Sequence, residues 1–163
     1  MKMDDMILVS IDDHVCEPPD MWDQHVPAKW KDRAPRMVRR SDGSDVWVFE
    51  GAQHPGVGLN AVAGRPREEY GMEPTSLDQM RKGCYDLDAR IGDMNVNGVL
   101  GSMCFASVPG FVGELFGRQV KQHGEKELAI TMLRAYNDWH VDEWCGTYAG
   151  RFIPLALPPL WDP

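Results

Sequence analysis

Three short apolar runs, separated by stretches with helical periodicity, constrain the fold of this chain more than any other feature. The runs are MILVSID at 6–12, VLGSMCF at 99–105 and RFIPLALPPL at 151–160. Short apolar runs of this kind predict strands that are buried on both faces, as in a parallel sheet. Pro154 is awkward in a central strand because it cannot donate a ladder hydrogen bond, so the third run is the weakest of the three predictions.

The helices predicted between these strands have recognisable first and last residues. Ser76 and Gln79 fit a capping box, and a second helix is expected to start at Asp86 and to end at Gly98. The longest helix is predicted over residues 124–145. Its apolar stripe and its expected C-cap are Ala129, Met132, Leu133, Tyr136, Trp139 and Gly146. The order strand, helix, strand, helix, strand indicates parallel βαβ units, which carry their ligands at the carboxyl ends of the strands.

The chain has 163 residues, which is typical of one domain. Residues 15–74 are interpreted as one long insertion with a small β-hairpin at about 45–64. The first strand of that hairpin is DVWVFEG at 45–51, and the turns that follow lead to LNAVAG at 59–64. The predicted fold class is therefore α/β with a hairpin insertion.

Charge and composition exclude several classes of partner. The chain carries 17 Lys and Arg against 25 Asp and Glu, a formal net charge of −8, which disfavours binding to nucleic acid and to anionic membranes. No apolar run approaches the roughly 20 residues that a membrane span needs, and the N-terminus MKMDDM does not resemble a signal peptide. We therefore expect a cytoplasmic protein. Its four scattered cysteines form no CxxC pair and are expected to be reduced and buried.

The stretch VSIDDHVCEPPD at 9–20 places two carboxylates and an imidazole next to the first predicted strand. Residues two apart in a strand point to the same face, so Asp12 and His14 converge and Asp13 points away. A carboxylate beside an imidazole could bind a divalent metal such as zinc, manganese or iron. The same pair could act as an acid and base, or could form a purely structural hydrogen bond. The three letters alone do not choose between these readings.

The surrounding sequence resembles one enzyme family. VSIDDHVCEPPDMW is similar to the first-strand motif of the amidohydrolase-related family, in the branch of aminocarboxymuconate-semialdehyde decarboxylase and the resorcylate-type decarboxylases. In that motif the strand ends in HxH or ExH, both residues bind the catalytic metal, and a proline-containing loop follows. Two further stretches resemble the same family, CYDLDARIGDMNVNGV at 84–99 and AYNDWHVDEWCGTYAGRFIPLALPPLWDP at 135–163.

The resemblance implies the N-terminal part of a (β/α)₈ TIM-type barrel and a metal-dependent enzyme. Asp12 and His14 would be the first two ligands of a divalent ion, with zinc favoured over manganese or iron, although DxH departs from the usual HxH or ExH. The implied reaction is the non-oxidative decarboxylation of a small carboxylic acid, aromatic acids included. Hydrolysis by a related metal enzyme is the alternative, and the parent enzyme could be a homo-oligomer. An alternative of another class is a small non-catalytic α/β module whose Asp-His pair is structural.

The chain has fewer predicted strands and fewer predicted metal ligands than a whole enzyme of this kind. A barrel of this type takes about 250 residues, whereas three barrel strands are predicted here. The family's remaining ligands, a His after the middle strands and an Asp near the last strand, have no counterpart, and no acid–base residue can be named. We expect an incomplete chain that is inactive by itself.

Three further residues are candidates for contact with substrate. Glu17 follows His14 by three residues, and Phe105 and Ser107 lie at the end of the second predicted strand. The alternative for Glu17 is a solvated charge. Arg90 is interpreted as a helix ion pair with Asp86 and Asp93.

A second polar cluster lies on the predicted long helix. Asp138 and His140 do not face each other on a helix, so we do not predict them to be metal ligands. Trp139 is expected to pack in the core, and Asn137 or Asp138 to bond a neighbouring loop.

Overall fold

The computed structural model describes residue 2 and residues 5–58, 61–70, 74–110 and 113–161. Its strands are β1 (Leu8–Val15), β2 (Arg36–Arg39), β3 (Asp45–Phe49), β4 (Ala52–His54) and β5 (Val99–Ala106). Its α-helices are α1 (Met21–His25), α2 (Leu87–Val96), α3 (Glu114–His123) and α4 (Lys126–Asp138), and a π-helix spans Trp139–Cys145. Short 3₁₀ turns cover Ala28–Arg33, Arg67–Glu69, Leu77–Gln79 and Lys82–Cys84. The fold is mixed α/β.

The parallel pair β1–β5 is the centre of the fold, as the apolar runs predict. Ser10 lies opposite Ser102 and Asp13 opposite Cys104, so β1 contains one more residue than β5 between these positions and forms a bulge. The strand begins at Leu8 and ends at Val15, two to three residues later than predicted. The DDH stretch therefore lies inside the last half of the strand and not after it.

The third predicted strand, over 151–160, is wrong in its extent. Phe152 alone forms a parallel bridge, with Ser102 of β5. The amide of Ser102 donates to the carbonyl of Arg151 (3.0 Å), and Ile153 donates to the carbonyl of Ser102 (2.9 Å). Pro154 then has no N–H to continue the ladder. The parallel direction predicted for this segment is confirmed, and it lies on the side of β5 away from β1.

A separate antiparallel sheet carries the predicted hairpin. Its order is β2–β3–β4, with Trp47 opposite Met37 on one side and His54 on the other. The strand predicted from 45 is confirmed, but its partners are the residues before it and 52–54, not 59–64. Positions 59 and 60 lie outside the described residues, and 61–64 form no strand.

Of the two helix starts predicted from capping residues, the one at Asp86 is confirmed and the one at Ser76 is wrong. Asp86 caps α2, because its side chain accepts a hydrogen bond from the amide of Ala89 (2.9 Å). The capping box at Ser76 is wrong: Ser76 makes no side-chain cap bond, and Gln79 accepts instead from the amide of Thr75 (3.0 Å). The result there is one 3₁₀ turn, not a helix.

The longest predicted helix, 124–145, is divided into two parts. Gly124, at φ +70°, caps the end of α3, which the sequence analysis did not predict. Helix α4 then begins at Lys126, and from Trp139 the backbone continues as the π-helix to its C-cap Gly146. The predicted apolar stripe is confirmed, because all five of its side chains are buried.

The core lies between the parallel pair, the helices and the small sheet. The ring of Phe116 on α3 meets Trp22 and Phe49 edge-on, at centroid distances of 5.6 and 5.7 Å. Asn137 holds the chain after the bridge, since its side-chain amide donates to the carbonyl of Leu157 (3.0 Å) and accepts from its N–H (2.8 Å). The loop contact predicted for Asn137 or Asp138 is thus made by Asn137.

Two further expectations concern the chain as a whole. All four cysteines are free and buried, as predicted. Among the described residues, no helix is long and apolar enough to cross a membrane.

Candidate functional site

Asp13 faces the helices, and a hydrogen-bond network fixes it there. Its Oδ1 accepts a hydrogen bond from the Ser10 hydroxyl (2.8 Å), and its Oδ2 accepts one from the Ser102 hydroxyl. The guanidinium of Arg90 on α2 lies 3.9 Å from Oδ2. Ser102 is fully buried, so this network lies between the sheet and α2. It explains why a second aspartate stands in the DDH stretch: Asp13 ties β1 to β5.

His14 lies on the other side of β1 from Asp13. Its ring packs against the ring of Phe105, its register partner on β5, with a centroid distance of 5.8 Å. Asp12 lies within the bulge between Ser10 and Asp13, where the regular alternation of side chains is interrupted, and it is exposed. The convergence expected for Asp12 and His14, and their role as metal ligands, stay predictions.

Arg90 contacts backbone carbonyls and not the two carboxylates that were predicted as its partners. Its side chain donates to the backbone carbonyls of His14 (2.7 Å) and Gly83 (2.6 Å). The carboxylates expected as its partners are taken by other cations: Arg81 pairs with Asp93 (2.6 Å), and Lys82 pairs with Asp86 (3.2 Å). The prediction was wrong, because Arg90 fixes the carboxyl end of β1 and so holds the backbone of His14 in place.

The donors near the end of β1 fit a divalent transition metal in type but not in number. A carboxylate oxygen and an imidazole nitrogen are ordinary ligands for zinc, manganese or iron. Within the part of the chain that the structure describes, no group of three or more His, Cys, Asp and Glu could hold an ion. Asp12 and His14 would therefore supply only part of a ligand set that needs three or four protein donors.

Glu17 is buried, with 1% of its surface exposed, so the alternative of a solvated charge is wrong. Its two carboxylate oxygens accept hydrogen bonds from the amides of Ser107 (2.9 Å) and Val108 (3.0 Å). Burial raises the pKa of Glu17 to about 7, while these two hydrogen bonds act in the opposite direction. Glu17 thus connects the loop after β1 to the loop after β5, and its carboxyl group changes charge near neutral pH.

Ser107 lines a cavity between the small sheet and the loop after β5. The cavity has a volume of about 150 Å³. Its described lining is Trp47, His54, Pro55, Gly56, Val57, Ser107 and Val108. Phe105 is half-buried in β5 beside His14. The structure therefore brings together His14 with Phe105, and Glu17 with Ser107, while contact of any of these residues with a substrate stays a prediction.

Sequence reasoning did not identify His54 and Trp47 as candidates. Both belong to the small sheet, and only the tertiary packing of that sheet brings them to the end of β5. The one clue in the sequence is the position of His54 directly before the turn at 55–58.

His140, which was not predicted to be a metal ligand, is a fully buried residue of the π-helix. It stacks on Tyr136 with ring centroids 5.6 Å apart, and its Nε2 lies 3.6 Å from the Cys145 sulfur. Burial lowers the pKa of His140 to about 4, so the imidazole is neutral at neutral pH.

Comparison with known proteins finds similarity at the level of structure. No protein-family model matches the chain, and no curated protein matches it in sequence. The crystal structure of an amidohydrolase from Mycobacterium avium subsp. paratuberculosis K-10 is similar, with a TM-score of 0.56 and 19% sequence identity. The similarity covers 91% of this chain and 42% of the other, so the chain spans less than half the length of that protein. At this identity the likeness shows the fold alone.

Proposed function

We propose that the chain is part of a metal-dependent barrel enzyme of the amidohydrolase superfamily, with Asp12 and His14 as its first two metal ligands. The observation that carries the proposal is the Asp12-Asp13-His14 stretch at the carboxyl end of β1, in a parallel α/β arrangement similar to part of an amidohydrolase. Active sites of parallel barrels lie at this end of the strands. The barrel itself is part of the proposal.

The residues around β1 are suited to hold such a ligand pair rigidly. Arg90 fixes the carbonyl of His14, and the network of Asp13 fixes the strand one residue earlier. The ring of Phe105 restricts the imidazole of His14. Ligands held by neighbouring hydrogen bonds and packing bind metal more tightly than mobile ones. A bound divalent ion would polarise a substrate oxygen or lower the pKa of a water molecule.

The proposed reaction is the non-oxidative decarboxylation of a small carboxylic acid, which follows from the sequence resemblance to the decarboxylase branch. Hydrolysis is the second candidate, favoured by the description of the structurally similar protein as an amidohydrolase. In either reaction, Ser107 and Phe105 would contact the substrate at the end of β5. Glu17 would keep Ser107 in position through its backbone amide.

A titration of the 163-residue chain with Zn²⁺ and Mn²⁺ tests the ligand assignment. We expect weak binding, because two protein ligands are fewer than a catalytic site provides. D12N and H14Q should each lower the affinity by about tenfold or more. The matched control is D23N, at an exposed aspartate of α1, which should leave the affinity unchanged. Equal affinities for all four proteins would rule out the pair as a metal site and favour the structural alternative.

Turnover is tested on the same chain by release of carbon dioxide from hydroxybenzoates and by hydrolysis of simple esters and amides. We expect neither reaction, since no third ligand is present among the described residues. Metal-dependent turnover that D12N abolishes would contradict the count of only two protein ligands.

A further inference from the structure

Residues 29–40, KWKDRAPRMVRR, form a positively charged stretch in an otherwise acidic chain. They contain six cations against one carboxylate, whereas the whole chain has a net charge of −8. Three of the cations pair with carboxylates from other parts of the fold: Lys29 with Glu127, Arg33 with Glu50, and Arg39 with Asp45. The other three form no salt bridge with any residue that the structure describes; they are Lys31, Arg36 and Arg40.

Strand β2 lies in this stretch, at the edge of the small antiparallel sheet, and the backbone hydrogen bonds show which of its groups face outward. The amide of Arg40 donates to the carbonyl of Ser44 (2.8 Å), so these two residues form a hydrogen-bonded pair. The amide of Asp45, which lies opposite Arg39, donates instead to the carbonyl of Thr75 (2.8 Å), away from β2. Arg39 and Asp45 are therefore not a hydrogen-bonded pair, and the N–H and C=O of Arg39 point away from β3.

Two residues of β2 thus present backbone groups on its outer edge. The two kinds of pair alternate along an antiparallel ladder, so Met37 is oriented like Arg39. Among the described residues no strand pairs with this edge, because β2 is bonded only to β3. Pro35 comes just before the strand and has no N–H, which suits a residue at an outer edge. The edge presents two donors and two acceptors, which is the pattern that an added strand needs.

One face of this edge carries its side chains in a fixed order. Arg36, Val38 and Arg40 point the same way, because they lie two residues apart in extended backbone. All three are exposed, Val38 to 40%. On the other face, Met37 packs against the core. The guanidinium of Arg40 donates to the neutral side chain of Gln53, so its charge stays available to a partner.

The cations determine which kind of strand can pair here. Residues of an added strand opposite Arg36, Val38 and Arg40 would form the non-hydrogen-bonded pairs, in which side chains are closest. Carboxylates opposite the arginines and an apolar side chain opposite the valine make favourable cross-strand pairs. A second copy of β2 would place arginines opposite arginines, so the edge disfavours self-pairing. Asp42 of the adjoining turn acts electrostatically on Arg40, but it already accepts hydrogen bonds from Ser44.

We propose that the outer edge of β2 binds an extended acidic segment of a partner protein by strand addition. The segment carries two carboxylates, opposite Arg36 and Arg40, and an apolar side chain between them, opposite Val38. This surface is separate from the proposed metal site, because β2 belongs to the small sheet and Asp12 and His14 belong to the parallel pair. The binding is weak and reversible, because a few backbone hydrogen bonds and two exposed charge pairs hold the segment.

The first probe is the peptide acetyl-TETVTET-amide, which carries Glu, Val and Glu on one face when it is extended. Added to the full chain, it should shift the amide resonances of Met37 and Arg39 in a saturable manner. The peptide acetyl-TKTVTKT-amide should bind about tenfold more weakly, since its lysines meet the arginines. The absence of a saturable shift, or shifts confined to β1, whose outer edge also has no partner strand among the described residues, would overturn the proposal.

Two methylated forms of the acidic peptide test the backbone pairing. In an antiparallel pairing the amides of the two inner threonines face β2, and those of the two glutamates face away. Methyl groups on the threonine amides should weaken binding about tenfold, because they remove two hydrogen bonds. Methyl groups on the glutamate amides are the matched control and should have little effect. Equal losses for both forms would show that the association is only electrostatic and would overturn strand addition.

Charge reversal tests the two arginines. R36E/R40E should bind the acidic peptide about tenfold more weakly and the lysine peptide as tightly as wild type binds the acidic one. R67E/R134E, at two exposed arginines outside the small sheet, makes the same change in net charge and should bind like wild type. Wild-type binding by R36E/R40E would overturn the proposal. Should that variant fail to fold, the methylated peptides decide.

A single-stranded oligothymidylate is the remaining probe, because exposed arginines also attract phosphates. We expect it to bind more weakly than the acidic peptide, since it cannot pair with the backbone of β2 and the chain as a whole is acidic. Binding as tight as that of the acidic peptide, with the same shifts at Met37 and Arg39, would show an unspecific cationic surface and would overturn the proposal.

Discussion

At the scale of single residues, Glu17 shows how a buried charge can organise two loops. Its oxygens satisfy the amides of Ser107 and Val108, so that removal of the side chain would leave two donors unpaired in a buried place. The cost is desolvation of the carboxylate, which raises the pKa of Glu17 to about 7 from its ordinary value of 4.5. The residue therefore couples the stability of the fold to pH.

We predict that Glu17 makes the protein less stable as the pH rises. The unfolded chain releases this proton near pH 4.5 and the folded chain near pH 7, so the contribution of Glu17 is complete below pH 4.5 and is lost as the pH rises through 7. The difference amounts to about 3 kcal/mol, at 1.36 kcal/mol per pKa unit. Urea unfolding at pH 5 and pH 8 should show that the change in the free energy of unfolding over this interval is more negative for wild type than for E17Q. The control E69Q, at an exposed glutamate, should follow wild type, and identical slopes for wild type and E17Q would contradict the assignment.

At the scale of elements, the π-helix is the part that the sequence predicted least well. Periodicity identified the buried stripe of α4 correctly but could not show where the backbone changes from α to π. The wider turn places His140 and Cys145, five residues apart, in contact inside the core. Nδ1 of His140 is buried without a partner among the described residues. Protonation of this buried imidazole at low pH therefore lowers the stability of the fold.

We predict that His140 acts on stability in the opposite direction to Glu17. The pKa of His140 is about 4 in the fold and 6.5 in the unfolded chain, so stability falls as the pH falls from 6.5 to 4, again by about 3 kcal/mol. H140L should abolish this loss, and urea unfolding between pH 4 and pH 7 measures it. H123Q, which changes an exposed histidine, should follow wild type. Because the windows of Glu17 and His140 overlap, wild type alone should show a small net slope, and the two variants should have slopes of opposite sign.

The elements also show what local sequence can and cannot determine. The cap at Asp86 and the run of β5 are local patterns, and both were predicted correctly. The strand predicted from residue 151 does not continue past Ile153, because Pro154 has no N–H to donate to the ladder. The first strand was predicted to begin too early, because nothing in the described chain pairs with Met6 and Ile7. Helix α3 was missed because Gly117 interrupts a short amphipathic pattern. The cavity at His54 depends on contact between distant segments, which no local pattern contains.

At the scale of the whole molecule, apolar side chains are exposed in the N-terminal half of β1 and in the residues next to it. Ile7 is 71% exposed and Ile11 64%. The other exposed apolar residues of this surface are Met6, Leu8, Val9, Leu100 and Ile153. Among the described residues β1 pairs only with β5, so its outer edge is open. An open strand edge with apolar side chains is prone to associate with another chain.

We predict that the 163-residue chain self-associates through this surface, which we measure by sedimentation velocity over a range of concentrations. The double variant I7K/I11K should be monomeric at concentrations where wild type associates. Both lysines bring the net charge of −8 closer to zero, which by itself favours association, so a loss of association is due to the apolar surface. V96K, at a residue of α2 that is 88% exposed, is the control and should associate like wild type. A monomeric wild type would contradict this prediction.

The proposed metal site lies at the end of β1, and its position can be measured. Mn²⁺ broadens the resonances of nearby nuclei, so a heteronuclear spectrum recorded with increasing Mn²⁺ locates the ion directly. We predict that the amides of Asp12, His14 and Phe105 broaden first, and that D12N removes the effect. Broadening centred instead on His25 and Glu143, whose side chains lie 2.9 Å apart at the surface, would contradict the assignment of Asp12 and His14 as metal ligands.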